Sequence, residues 1–296
     1  MITNKQLEKN SMLKLALLVF VFSALTLTGC SVNPRAYDDS HSKAYNLAHA
    51  GGLIIDIKDT RVPANEIGSI TESMQDASWV GLGYLRPQLG LTNWGTAGFN
   101  LIGNLLEPDT HGERSSLFAW MPLSEAASEE EALPVFLSHV KDSTTKALEG
   151  MGVKVSSIYE TDGAFFLRIT KDEWSCPVNA RLDDSCYVKA HLFKPYTFGI
   201  ADFIAGAKER AEGEEFEERY TFTSSHKRKF HKLHVVSSEK HKVPENEVYK
   251  AISKELPEWT YLYLAPKKVK NQEGELINYP YILNQGKAEF FVIPKD

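Results

Sequence analysis

The stretch from Leu133 to Leu148 constrains the fold more than any other. Leu133, Phe136, Leu137, Val140, Ala147 and Leu148 recur close to the helical period and draw one apolar stripe along a helix. Ser128, with Glu131 beyond it, supplies the side chains of a capping box, and Gly150 follows the last apolar position, so both ends are marked. Pro134 is tolerable only near a first turn, which fits a start close to Ser128. A helix with one apolar face must bury it, and its neighbours in sequence are strand-like. Leu117 to Met121 precedes it, and Val153, Val155 and Ile158 follow. Then come a tight turn at Asp162-Gly163 and the alternating Phe165, Leu167 and Ile169, the pattern of a strand with one buried face. Tyr187 to Phe193 predicts a further strand. The expected architecture is α+β, a helix packed on an antiparallel sheet.

The last third shows a related alternation without repeating the sequence. Tyr220 to Thr223, Phe230 to Val236, Trp259 to Leu264 and Ala288 to Ile293 predict strands, and Pro244 suits the first turn of a helix carrying Val248, Ile252 and Leu256. Between the two regions, Lys208 to Arg219 is dense in Lys, Arg and Glu and reads as a solvated linker or exposed helix. The expected organisation is therefore a first α+β unit over residues 53–207, a linker over 208–219 and a second related unit over 220–296.

The amino terminus follows other rules. Lys5, Lys9 and Lys14 precede an apolar run from Leu15 to Leu27, which ends at Leu27-Thr28-Gly29-Cys30. The run is long enough to engage export machinery but shorter than the about 20 residues a bilayer span needs. This arrangement resembles the signal of bacterial lipoproteins. Leu27 to Cys30 resembles their lipobox, in which small residues fit the signal peptidase and the cysteine thiol receives a diacylglycerol. The resemblance covers the signal alone and implies that residues 1–29 are removed and that the mature chain begins at a lipidated Cys30. The lipid bilayer is then a partner, held through acyl chains whose buried methylenes contribute about 0.8 kcal/mol each. Ser31 stands where an Asp would favour inner-membrane retention in enteric bacteria. The implied location is the outer membrane, with the body facing the periplasm or the cell surface. Residues 30–52, polar and broken by Pro34, with Asp38-Asp39-Ser40-His41-Ser42 in succession, read as a lipidated tether.

The whole sequence carries a formal net charge of −6, and loss of the Lys-bearing signal makes the mature chain more acidic still. That balance argues against nucleic acid as a partner and against general adhesion to anionic lipid. With Cys30 acylated, Cys176 and Cys186 are the two remaining cysteines, and an even pair in an exported chain is most simply a disulfide. Their spacing is too wide for a redox Cys-x-x-Cys pair.

Three segments carry residues with chemical potential. The basic histidine segment, residues 226–241, runs from His226 through Lys227-Arg228-Lys229-Phe230-His231-Lys232-Leu233-His234 to His241. On a helix His231 and His234 would share a face and could reach one metal; on the strand that Phe230, Leu233, Val235 and Val236 suggest, they point to opposite faces, among cations that repel a metal. No metal or other cofactor is expected. A basic surface meeting an acidic partner or lipopolysaccharide phosphate is the functional alternative for this segment. The loop Asp109-Thr110-His111-Gly112-Glu113 with Ser115 and Ser116 offers a base, carboxylates and hydroxyls, as an envelope-polymer hydrolase would need. Adjacency in sequence does not make those groups converge, and no recognised nucleophile or metal motif accompanies them. The segment from Ala77 to Leu106 has Arg86 as its one formal charge and is rich in Gly and aromatics, among them Trp79 and Tyr84. Its second part sets Leu91, Trp94, Gly98, Leu101 and Leu105 on one helical face, a composition suited to close packing in a core or against a partner. The function expected from these readings is a non-enzymatic docking or scaffold component of a cell-envelope assembly, binding a protein partner or a second copy of itself through Ala77 to Leu106.

Overall fold

A computed structural model describes residues 36–53, 58–63, 115–178, 185–209, 213–223, 231–237, 240–270 and 276–295. Among them lie three helices, α1 (Lys43–Ala50), α2 (Glu129–Gly150) and α3 (Glu245–Glu255). The strands are β1 (Thr60–Pro63), β2 (Ser116–Pro122), β3 (Lys154–Thr161), β4 (Ala164–Thr170), β5 (Cys186–His191) and β6 (Tyr196–Gly199). They continue with β7 (Glu218–Phe222), β8 (Lys232–Val236), β9 (Thr260–Lys270), β10 (Leu276–Asn284), β11 (Lys287–Phe290) and β12 (Val292–Lys295). The fold is α+β. Six strands form one sheet in the order β11-β10-β9-β2-β7-β6, four form another in the order β3-β4-β5-β8, and β1 pairs with β12. Every pairing is antiparallel except β1 with β12.

Strand β2 is apolar without interruption from Leu117 to Met121, and that run is buried on both faces. Phe118 and Trp120 point to one side, where Tyr261 lies parallel to Phe118 at 5.4 Å and edge-on to Trp120 at 5.4 Å. Helix α1 covers this aromatic layer with Ala44, Leu47 and Ala48, joined by Ile200, Ala201 and Ile204. Gly51 caps the helix there, and only glycine fits, since a Cβ at that position would fall 2.8 Å from the Phe118 ring. On the other side Leu117, Ala119 and Met121 join Phe222, Leu262 and Leu283 in a core shared with α2, α3 and the inner face of the four-stranded sheet. Phe136 of α2 reaches Phe222 at 4.4 Å and Trp259 at 5.3 Å between ring centroids.

Helix α2 starts where its sequence marks it, with the Ser128 hydroxyl accepting from the Glu131 N–H at 3.2 Å. The return arm of the box differs, since Glu131 accepts from the Ala127 N–H rather than that of Ser128. Pro134 lies inside the helix, deeper than a first turn. It forfeits the backbone bond to the Glu130 carbonyl, and the burial of Ala132, Phe136, Leu137 and Val140 around it offsets that loss.

Two expectations change. Residues 38–53 are not a free tether, because α1 and its flanks fold onto the six-stranded sheet. Nor does the charged stretch 208–219 separate two units. Strand β2 sits between β7 and β9, and β8 pairs with β5, so residues 53–207 and 220–296 contribute to both sheets. Strand β2 needs a hydrogen-bonded neighbour along each edge, and the chain supplies both from its last third.

Arg219, within the stretch expected to be solvated, is 3% exposed. Its Nε donates to Glu217 Oε1 at 3.0 Å, and its guanidinium also donates to the carbonyls of Trp120, Ala205 and Gly206. It thereby fastens the 200–207 loop over the aromatic layer. Although burial opposes ionisation, the Lys208 N–H and the Arg219 guanidinium hold the Glu217 carboxyl below its ordinary pKa. Arg219→Met removes these donors and leaves buried carbonyls unpaired, an expected loss of about 2–4 kcal/mol in urea unfolding. A loss under about 0.5 kcal/mol would show that the loop is held by apolar contacts alone.

Candidate functional site

The folded body begins in a clasp of polar side chains. Ser42 caps α1, its hydroxyl accepting from the Tyr45 N–H at 3.0 Å while donating to Asp59 Oδ1 at 2.5 Å. Asp59 Oδ2 accepts from the Ser42 N–H at 3.0 Å and lies 2.9 Å from His41 Nδ1. Asn46 closes the loop before the helix, accepting from the Asp38 N–H at 2.8 Å and donating to the Asp38 and Ser42 carbonyls. Tyr45 stacks on His41 at 3.8 Å, and Tyr37 meets Phe203 edge-on at 5.3 Å. Carboxylate, imidazole and hydroxyl therefore converge, but the hydroxyl donates to the carboxylate and not to the imidazole. A serine nucleophile needs the reverse order, so this arrangement ties the turn before α1 to the residue before β1 and does not make the Ser42 hydroxyl a nucleophile. Its sequence signal was Ser42 two residues ahead of Ala44, with Leu47 and Ala48 following at helical spacing, masked by the polar run around it.

Cys176 and Cys186 form a disulfide with their Cα atoms 5.6 Å apart, both buried. Cys176 follows a short 3-10 turn at Asp172–Trp174, and Cys186 opens β5, so the bridge ties the exit of β4 to the next strand.

The histidine segment is described from His231 onward; His226 lies outside the described residues. The His231 carbonyl accepts from the Leu117 N–H at 2.9 Å. Its side chain is buried, with Nδ1 accepting from the Phe193 N–H at 3.2 Å and the ring edge-on to Phe222 and Phe193 at 5.6 and 5.9 Å. Burial pulls its pKa down to about 4, against a hydrogen bond to the Thr223 backbone that favours the cation; the charge of His191 adds to the fall. His231 is thus a neutral tie between β2, the end of β5 and the end of β7. His234 lies on β8 opposite Lys189, half-buried, on the outward side. Among the described residues no group of three or more His, Cys, Asp or Glu is placed to hold a metal ion.

Of the other expected site residues, Cys30 and the segment carrying Trp79, Tyr84, Leu91, Trp94, Gly98, Leu101 and Leu105 lie outside the described residues. So do Asp109, His111 and Glu113 of the loop considered for hydrolysis. Of that loop's hydroxyls, Ser115 Oγ accepts from the Ala265 N–H at 3.2 Å, and Ser116 Oγ is buried without a hydrogen-bond partner among the described residues. No helix among the described residues is long and apolar enough to cross a membrane. Comparison with protein-family models, curated proteins and solved structures finds no match to the chain.

Two outcomes follow from this chemistry. Reducing the disulfide, which joins residues separated by 10 in sequence, should lower unfolding stability by about 2–3 kcal/mol on loop-closure grounds; an unchanged urea midpoint would mean that the bridge constrains nothing. His231 binds its proton more weakly folded than unfolded, since its pKa is about 4 against an ordinary 6.5. Its contribution is complete above pH 6.5 and is lost as pH falls towards 4, by about 3 kcal/mol in all. The stability difference between wild type and His231→Gln should therefore narrow across that window. Parallel curves would place the acid sensitivity elsewhere.

Proposed function

We propose that this protein is an exported, lipid-anchored and non-enzymatic docking component of a bacterial cell envelope, attached to the outer membrane through acylated Cys30. The observation that carries the reading is the position of Cys30, at the end of an apolar run and just ahead of the folded body. Ser31 to Arg35 alone separate it from the first described residue, a reach of at most about 20 Å. Anchored in this way, the body is held beside the bilayer, as suits a component that recruits partners at the membrane surface. The buried disulfide supports the same compartment, because such bridges persist where the environment oxidises thiols. The docking role of Ala77 to Leu106, towards an envelope protein or a second copy, rests on its composition.

Mass spectrometry of the envelope-purified protein should find an amino-terminal cysteine carrying a diacylglycerol, and Cys30→Ser should abolish that species. An unmodified Met1 terminus would sink the anchorage. Crosslinking in intact cells should yield discrete higher-mass species that Gly98→Leu removes while leaving Tm unchanged. Loss of Tm, or no change in either readout, would remove the docking role of that segment.

A further inference from the structure

The loop that leaves β6 is more apolar than a surface connection needs to be. Residues 200–207 read Ile-Ala-Asp-Phe-Ile-Ala-Gly-Ala, with Asp202 as the one formal charge. Ile200, Ala201 and Ile204 turn into the aromatic layer under α1. Phe203, Ala205 and Ala207 are half-buried and Gly206 is exposed, so the rest of that apolar surface is turned partly outward. Tyr37 continues it, 44% exposed and edge-on to Phe203 at 5.3 Å. The patch is also held still. The Ala205 N–H donates to the Tyr261 hydroxyl at 3.1 Å, the Ala207 N–H donates to the Ile204 carbonyl at 3.0 Å, and Arg219 takes the Ala205 and Gly206 carbonyls. A loop fixed by these bonds has little ordering entropy left to lose when something lies against it.

Tyr37 stands at the very start of the described body, close in sequence to Cys30. Ser31 to Ala36 lie between the two, a span of at most about 25 Å. With acyl chains on Cys30 the patch stays near the headgroups, and a surface tethered at that range meets the bilayer at an effective concentration on the order of millimolar. A patch too small to hold a free protein on a vesicle is then enough to decide which face lies down. Its chemistry suits the place, because aromatic rings are favoured at the boundary between hydrocarbon and water. Asp38 and Asp39 follow Tyr37, and Asp202 precedes Phe203, all three exposed. That acidic surround matches zwitterionic headgroups and not an anionic surface.

We propose that Tyr37 and the 200–207 loop form the face that this protein lays on the bilayer holding its anchor. The inference rests on the reading that Cys30 is lipidated and adds to it which surface meets the lipid. The other exposed large apolar side chains Ile158, Tyr159 and Val178 belong to β3 and the disulfide loop, far in sequence from the anchor, and serve as the contrast.

Cys30 is the one cysteine outside the disulfide, so its thiol can couple the chain from Cys30 to Asp296 to a maleimide lipid in phosphatidylcholine vesicles. Coupling anchors the chain whether or not cells acylate it. Hydroxyl-radical footprinting then compares the coupled and free chains, with Tyr159, 53% exposed, as the internal reference. Labelling of Tyr37 and Phe203 relative to Tyr159 should fall about threefold or more on coupling. Ala207→Glu, which sets a charge in the patch, should restore the ratio of the free chain at unchanged Tm. Tyr37→Ser, at a ring already largely in solvent, should do the same, read at Phe203. The proposal is overturned if coupling leaves the ratio unchanged, if Tyr159 is the residue protected, or if both variants stay protected as wild type does. Greater protection on vesicles containing phosphatidylglycerol than on phosphatidylcholine alone would also overturn it. A Cys30 without acyl chains in mass spectrometry of the cellular protein would remove the natural anchorage instead, a failure that the coupled chain tells apart from failure of the surface.

Discussion

Strand β2 is buried on both faces, and a strand in that position needs a hydrogen-bonded neighbour along each edge and an apolar layer above and below. Its edges are taken by β7 and β9, which come from the last third of the chain. Phe118 and Trp120 require the aromatic layer under α1, and Leu117, Ala119 and Met121 require the core under α2 and α3. Most of the remaining arrangement answers to that strand. Both cores meet at it, so a small residue on its inner side, such as Ala119, is as constrained by volume as the large ones.

Three buried polar side chains of this protein act where irregular backbone crosses the sheets. Arg219 gathers carbonyls from the 200–207 loop, and His231 receives the Phe193 N–H at the exit of β5. Asp59 collects the Ser42 hydroxyl and N–H ahead of α1. In each case a loop that regular pairing cannot satisfy finds its partner in a side chain from a distant part of the chain. Such groups add little net energy when paired and cost much when unpaired, so they fix which loop goes where more than they raise total stability.

What could be read in advance follows from how local each signal is. Helix α2 was legible because its period and its Ser128 cap lie within one segment, although the left-handed glycine that ends it is Gly152 and not Gly150, and β4 because Phe165, Leu167 and Ile169 alternate. The cysteine pair was legible through compartment and parity. Helix α1 was hidden because its buried residues include the small Ala44 and Ala48 and its cap sits in a run of polar residues that also suits a tether. Strand β6 offers too few residues for any period to show. Arg219 was misread because charge density reports on average solvation and not on the one side chain that turns inward. The interleaving of the two halves depends on strand register between residues far apart in sequence. Periodicity reports which face a residue takes, but not which residue stands opposite it.

Under the proposed anchorage the clasp at Asp59 acquires a mechanical meaning. A chain leaving the membrane at Cys30 has little slack before Asp38, so force on the anchor passes almost directly into the loop that Asn46 and Ser42 close. From there it reaches α1, whose Leu47 is 1% exposed in the aromatic layer against β2 and β9. The attachment thus pulls on a helix that lies against the β10–β11 hairpin, with Lys43 paired to Glu289 of β11, and that shares the aromatic layer with β2 and β9. Each residue removed from a linker narrows the volume its cargo explores, so the few residues between Cys30 and Asp38 would confine the body close to the anchor. For a protein whose proposed work is recognition at a surface, such confinement raises its effective concentration towards partners in the same layer of the envelope without any additional contact.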